Sequence, residues 1–374
     1  MAGIYIHIPF CRHKCSYCNF FSIVSQKYRT QIVPSILQEI DARKDTINQK
    51  VETVYFGGGT PSLLTISEIE RIIKKILSSF KLVDQPEITF EANPDDIETA
   101  YLNSLIKLGV NRISIGIQSF RQEDLNYLER THNARRISKV MNAIVNAGVK
   151  HINADLIYGV PGQTEEAIEY NINQLLDYPL DHVSAYALTV EPQTKLKHQI
   201  QKREKSDINE SAITQHFYHL SERLTFHGFE HYEISNFALP DCYSKHNTNY
   251  WYQKPYLGLG PSAHSYDGTS RWWNIDAVSA YVKGANEGNI PIEMEILTIE
   301  QKFNEFIMLR LRTKQGIDMQ EVARLFGPTW HNELRKAFKS VNNPEYIRWK
   351  DNKIVLTRKG FWFADGLAAQ LFRG

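Results

Sequence analysis

The chain has little cysteine: four residues in 374, too few for a disulfide framework. It has no apolar run approaching the roughly 20 residues that span a bilayer. It has almost no net charge. Lys+Arg number 43 against Asp+Glu 42, so no global field draws the molecule to nucleic acid or anionic lipid. The first residues, MAGIYIHIPFCRHKC, lack a basic n-region, and Pro9 and Cys11 break their short apolar stretch. They do not read as a signal peptide, and the expected compartment is cytoplasmic. Low-complexity segments and clear linkers are absent too. What remains is ordinary: 42% hydrophobic and 23% charged residues exclude a disordered or collagen-like chain, and the length allows two closely packed domains.

The first half alternates short β-rich runs with helical stretches. GIYIHIP (3–9), VETVYFGGG (51–59), EITFEANP (87–94), RISIGIQS (112–119), VKHINADLIYG (149–159) and DHVSAYALT (181–189) read as strands. Between them lie amphipathic stretches around 27–45, 95–108 and 164–177, and one opened by Thr65 or Ser67 with Ile69, Ile72, Ile73 and Ile76 at helical spacing. Six such units predict an α/β fold, either a doubly wound sheet or an incomplete β/α barrel. Cysteine, glycine or polar residues end nearly every strand, and that rim is where parallel α/β folds bind ligands. The rhythm breaks near 190. A lysine-rich helical stretch (195–224) leads to the aromatic segment HNTNYWYQKPYLGLGPSAHSY. From about 298, helices at 299–313, 318–326 and 330–340 and a hairpin through Asp351-Asn352 resemble a winged helix. Expected units are therefore 1–190, a connecting region 191–297, and 298–374, with the last two forming a mixed α+β C-terminal region.

Cys11, Cys15 and Cys18 form a C-x3-C-x2-C triplet directly after the first strand. In a reducing compartment, clustered cysteines bind metal or do redox work rather than form bridges. Three thiolates hold three irons of a [4Fe–4S] cube and leave the fourth open to a small ligand. A zinc site would need a fourth ligand, for which His7 or His13 would have to serve. Cys242 stands alone and reads as a small buried thiol. In FGGGTPS (56–62), three glycines after a strand let the backbone approach a ligand closely.

The context YIHIPFCRHKCSYCNFFS resembles the radical S-adenosylmethionine (SAM) superfamily, in which the open iron chelates SAM. The resemblance implies a partial (β/α)6 radical SAM barrel and assigns Gly58, Gly59 and Thr60 to the glycine motif that meets the SAM amine. It places Glu91, Gln118, Arg130 and Asp155 at further SAM contacts, and Tyr5, Tyr17 and Ala187 at the remainder. YIHIPFC, GGGTPS, DLIYGVPGQT and EFIMLRLRTKQGID, spread over nearly the whole chain, resemble the oxygen-independent coproporphyrinogen III dehydrogenase group. Members proper carry a long N-terminal extension and a fourth cysteine two residues past the third. Here the first strand begins at Gly3, and position 20 is Phe20.

These departures resemble the sister group of radical-SAM-type heme chaperones, marked by H-N-x-x-Y-W, here His246 to Trp251. The resemblance implies three bound groups: a [4Fe–4S] cluster on Cys11, Cys15 and Cys18, SAM, and heme held by His246. An imidazole serves as an axial ligand and aromatic rings stack on the macrocycle. Cys242 and His264 stay open as alternative ligands. Heme-accepting clients such as respiratory enzymes are the expected partners; peripheral membrane contact stays open, as does SAM cleavage. Residues 300–374 carry fourteen Lys/Arg and eight Asp/Glu, which reads as a solvated or partner-docking face, with no nucleic acid expected. Trp272, Trp273, Phe361 and Trp362 read as core. The alternative function is oxidative decarboxylation of a tetrapyrrole propionate.

Overall fold

The computed structural model describes residues 1–341 and 343–373. Six parallel strands follow one another in chain order: β1 (Ala2–Ile8), β2 (Val51–Gly58), β3 (Leu82–Ala92), β4 (Arg112–Gln118), β5 (His151–Tyr158) and β6 (His182–Ala187). Helices or short helix pairs join them, as the alternating pattern predicts, and the chain-order sheet is the partial (β/α)6 barrel that the resemblance implies. Each strand is apolar on one face and polar on the other, in different proportions. Ile4, Ile6 and Ile8 of β1 are fully buried against the helical layer, each such burial contributing roughly 1.5–3 kcal/mol. The alternate positions turn into the barrel and are polar: Tyr5 and His7, Thr53 and Tyr55, Glu87 and Glu91, Arg112 and Ser114, Asn153 and Asp155, His182 and Ser184. Their hydrogen bonds to one another, such as Asn153 Nδ2 to Ser114 (2.6 Å) and His182 Nδ1 with Asn153 (2.6 Å), show that they share this interior.

Thr65, rather than Ser67, caps the helix Ile66–Ser79, in a reciprocal capping box with Glu68. The helical stretch over 195–224 consists of two helices, Lys195–Gln201 and Glu210–Phe226. The largest departure from the pattern is in 230–296, whose six short strands extend the barrel sheet at both edges. β7 (Glu230–Glu233) and β8 (Asn236–Ala238) add antiparallel beyond β6, while β9 (Tyr256–Leu259) pairs parallel with β1. β10 (His264–Tyr266), β11 (Ser270–Asn274) and β12 (Ile292–Ile296) continue outward, so the sheet has twelve strands among the described residues.

The C-terminal unit has its own core, from Phe303, Phe306 and Ile307 to Leu371. Helices Ile299–Leu311, Met319–Phe326 and Pro328–Val341 pack on a three-stranded sheet of β13 (Ile317–Asp318), β14 (Ile347–Lys350) and β15 (Lys353–Leu356). Asp351 and Asn352 turn the β14–β15 hairpin with φ of 47° and 61°, the double positive-φ turn that Asp and Asn tolerate. The winged-helix resemblance is thus realised in three helices and a wing.

Candidate functional site

The cysteine loop follows β1 and is pinned at its base, where Cys11 N–H donates to the Ile23 carbonyl (3.0 Å) and Ile23 N–H to that of Pro9 (2.7 Å). Cys11 is buried; Cys15 and Cys18 are half-buried. The Thr60 hydroxyl donates to Cys11 Sγ and Arg130 Nη1 to Cys15 Sγ, both at 3.4 Å. A hydroxyl and a guanidinium thus face two of the three sulfurs, while burial pushes the Cys18 thiol up. Zinc ligands about 2.3 Å from one metal lie about 3.8 Å apart. The three sulfurs do not all lie within 4.8 Å of one another, so they are not gathered as one zinc shell would have them. The His7 ring is tied to Tyr5 (3.0 Å) and to the Phe21 carbonyl (2.9 Å), and His13 is exposed, so neither completes a zinc site.

A cavity of about 640 Å³ opens beside the loop, within the roughly 300–1,000 Å³ of small-molecule sites. Tyr17, Gly58, Gly59, Thr60, Glu91, Gln118, Arg130, Asp155 and Ala187 all line it, so nine of the ten expected SAM contacts converge. The tenth, Tyr5, does not reach the wall: it packs beneath the glycine turn, 3.0 Å from where a Cβ on Gly57 would stand. That turn needs glycine. A Cβ on Gly59 would lie 2.7 Å from the Phe10 carbonyl oxygen, and Gly58 has φ +110°.

The two carboxylates of the cavity, Glu91 and Asp155, are pushed toward their neutral forms. Glu91 is pushed up to about 7, first by removal from water and further by Asp155; the Tyr55 hydroxyl, donating at 2.6 Å, and the Gly58 amide pull it back. Burial lifts Asp155 to about 6 against donors from Asn153 (2.8 Å) and Ser114 (3.2 Å) and the charge of Arg130. Arg130 spends Nη2 on the Gly116 carbonyl (2.9 Å), while its buried Nε has no partner among the described residues. Two carboxylates, an unspent guanidinium N–H and a close-approach glycine turn fit a zwitterionic, cationic ligand such as SAM. The tightly built cysteine loop beside them fits a cluster.

His246 lies elsewhere. It is on the helix Lys245–Trp251, whose N-terminus is held by Glu87, accepting from the amides of His246 (2.9 Å) and Lys245 (3.1 Å). The ring is 2% exposed, at the N-terminal end of the strands, opposite the cysteine loop. Nδ1 is hydrogen-bonded to Thr53 Oγ1 (2.8 Å) and Nε2 to the Tyr250 hydroxyl (2.9 Å), and burial pushes the imidazole down to about 3. Both nitrogens are therefore engaged, and the ring does not touch the cavity. The same helix nevertheless carries three buried polar atoms without partners among the described residues, Thr248 Oγ1, Asn249 Nδ2 and Trp251 Nε1. Of the alternatives, His264 is exposed and stacks on Trp273 at 5.4 Å, and Cys242 is half-buried at the N-terminal rim.

Sequence reasoning missed the outer wall of the cavity. Phe361 and Trp362, expected only as core, line it with Phe217, Ile234, Ser235 and Arg312. Phe361 belongs to the main core as well as to this wall. Nothing in residues 358–364 marks them, because the contact joins the C-terminal unit to the barrel across the fold.

The sequence matches the family model of the Radical SAM superfamily over residues 5–175 and that of the HemN C-terminal domain over 297–363. The heme chaperone HemW of Lactococcus lactis subsp. lactis is 31% identical over 96% of this chain and 93% of its own length. That of Bacillus subtilis is 31% identical over 96% of both chains. Among solved structures, coproporphyrinogen III oxidase (HemN) from Escherichia coli, a radical SAM enzyme, has a TM-score of 0.86 at 22% identity, covering 99% of this chain and 90% of that one. That likeness confirms the fold, while the relatives at 30% identity and above decide the family. With the cysteine loop, the glycine turn and the H-N-x-x-Y-W helix all in place, this chain belongs to the radical SAM superfamily and, within it, to the heme chaperone HemW family.

Proposed function

We propose that the chain binds heme, a [4Fe–4S] cluster and SAM, and delivers heme to respiratory or other heme-requiring proteins. Cys11, Cys15 and Cys18 would hold the cluster; Gly58, Gly59, Thr60, Glu91, Gln118, Arg130 and Asp155 would hold SAM, with Tyr17 and Ala187 at its edges. When bound and reduced, such a cluster supplies one electron at low potential to a coordinated sulfonium. The chain's own part is electrostatic. Glu91 and Asp155 offer negative charge to an ammonium and a sulfonium, and Arg130 offers its free Nε–H to a carboxylate. Tyr5 acts from below, by supporting the turn.

Heme carriage rests on one observation: the short helix of the motif presents His246 between the rings of Tyr55 and Tyr250 and keeps three buried polar atoms unspent. His246 is the axial ligand in this reading, and its geometry sets a condition. Nε2 is free for iron only after the Tyr250 hydroxyl leaves it. Titrating heme into cluster-loaded protein tests the assignment. His246→Ala is expected to weaken binding while iron and sulfide content stay constant; unchanged affinity and spectrum would transfer the role to Cys242 or another histidine.

One observation favours the second reading, oxidative decarboxylation of a porphyrinogen. The SAM cavity continues to the aromatic wall of Phe217, Phe361 and Trp362, edged by Arg312, which is ion-paired to Glu233 (3.1 Å). An anaerobic assay with reductant, SAM and coproporphyrinogen III separates the two. Repeated release of decarboxylated product would make the chain an enzyme of heme synthesis.

A further inference from the structure

At the N-terminal rim of the barrel, away from the cavity, three metal-ligating side chains converge. His151 begins β5, Asp181 immediately precedes β6, and Cys242 sits in the turn after β8. One ligand atom from each lies within 4.8 Å of the other two. We propose that His151, Asp181 and Cys242 form a binding site for a borderline-soft divalent cation of the zinc class, with water as the fourth ligand.

The donor set is the first argument. Thiolate, imidazole and carboxylate together are a zinc set, and three protein ligands with one open position is the pattern of accessible rather than closed zinc sites. Geometry is the second. Ligands about 2.0–2.3 Å from one ion lie about 3.3–3.8 Å apart, so a contraction of about an ångström closes the shell. The carriers are already fixed by backbone bonds: Asp181 Oδ1 accepts from Ile152 N–H (3.0 Å), the Asp181 carbonyl from Leu239 N–H (2.9 Å), and the Leu239 carbonyl from Cys242 N–H (3.0 Å). Asp181 Oδ2, left over, meets His151 Nδ1 at 2.5 Å.

Charge is the third. Arg112 Nη1 stands 3.9 Å from Asp181 Oδ1, a cation that would oppose a second one. Its Nε is bonded to Glu87 (3.0 Å) and its Nη2 to the Cys242 carbonyl (3.0 Å), while the buried Nη1 has no hydrogen-bond partner among the described residues, so that one N–H face carries the repulsion. A divalent ion with one thiolate and one carboxylate is itself neutral, and binding releases the Cys242 thiol proton to solvent. A nucleophilic triad is a poorer reading. The thiol hydrogen-bonds Asp181 rather than the imidazole, and that neighbour and burial both hold its proton on. All three residues are half-buried, so an ion can enter from solvent.

Occupancy would also tie down the turn that leads, four residues later, to His246. The test uses cluster-loaded protein, in which Cys11, Cys15 and Cys18 are already engaged. After incubation with zinc chloride and desalting, the wild type is expected to retain about one zinc per chain. Cys242→Ser and His151→Gln should each lower retention at least tenfold, with iron content and circular dichroism unchanged. X-ray absorption of the zinc-loaded wild type should show one sulfur at about 2.3 Å and two or three nitrogen or oxygen neighbours near 2.0–2.1 Å. No retained zinc, wild-type retention by either variant, or a shell of three sulfurs would each overturn the site.

Discussion

The ring of His246 stacks on that of Tyr55 at a centroid distance of 4.9 Å and an interplanar angle of 27°, and the Tyr55 hydroxyl donates to Glu91 at 2.6 Å. One side chain therefore touches both the residue assigned to heme and a carboxylate of the SAM cavity. It forms a layer between two sites that face opposite ends of the barrel.

Tyr55→Phe keeps the stack and removes the donor. Glu91 then loses a hydrogen bond that favours its ionised form and shifts further up from about 7. SAM affinity at pH 7 should fall about tenfold, the size expected for one hydrogen bond to a charged group. The deficit should narrow by pH 9, where Glu91 ionises in both proteins. Calorimetric titration at the two pH values checks this; equal deficits would detach Glu91 ionisation from SAM binding.

Glu91→Gln separates binding from stability. In the ligand-free protein the Glu91 carboxyl is raised from 4.5 to about 7, so the folded state holds its proton more tightly than the unfolded chain. Stability from this group is full below about pH 4.5 and is lost as pH rises through about 7. The loss at pH 8 is at most about 3 kcal/mol, less for the part of the carboxylate that the cavity leaves wet. Ligand-free Glu91→Gln should therefore melt higher than wild type at pH 8 and about equally at pH 5, while SAM binding is lost. Thermal melts at both pH values decide it, and a variant less stable at pH 8 would contradict the account.

Cys15→Ser removes one cluster ligand and the partner of Arg130 Nη1. After anaerobic reconstitution, iron should fall from about four per chain to near zero, and the broad visible absorbance should vanish. A full cluster spectrum would refute the assignment of the triplet.

Tyr250→Phe takes away the hydroxyl that occupies His246 Nε2. If that nitrogen is the iron ligand, heme should bind about tenfold more tightly, because one competing hydrogen bond of roughly 1–1.5 kcal/mol is gone. Weaker heme binding would make Tyr250 part of the heme site instead of its competitor.

The barrel was legible because β1–β6 announce themselves locally, through alternation such as Ile4, Ile6 and Ile8 against Tyr5 and His7, and through turn residues such as Asp351-Asn352. The cysteine triplet and glycine turn were legible because their chemistry lies within one loop each. β7–β12 were not, since strands of three to five residues have too few alternations to read and gain their stability from the edges they join. The burial of His246 was hidden for a similar reason: its partners Thr53 and Tyr55 come from a strand nearly 200 residues earlier. The same holds for Phe361 and Trp362 at the cavity wall and for the meeting of His151, Asp181 and Cys242, which only the assembled sheet brings together.

The central claim is that this chain carries heme and gives it away. The direct measurement is transfer from heme-loaded, cluster-intact protein to an excess of an apo-hemoprotein, followed by the acceptor's Soret spectrum after the two are mixed. The account predicts that acceptor-bound heme appears up to the amount loaded and that the cluster absorbance persists throughout. Heme that stays on the chain while the empty acceptor remains competent for free heme would contradict it.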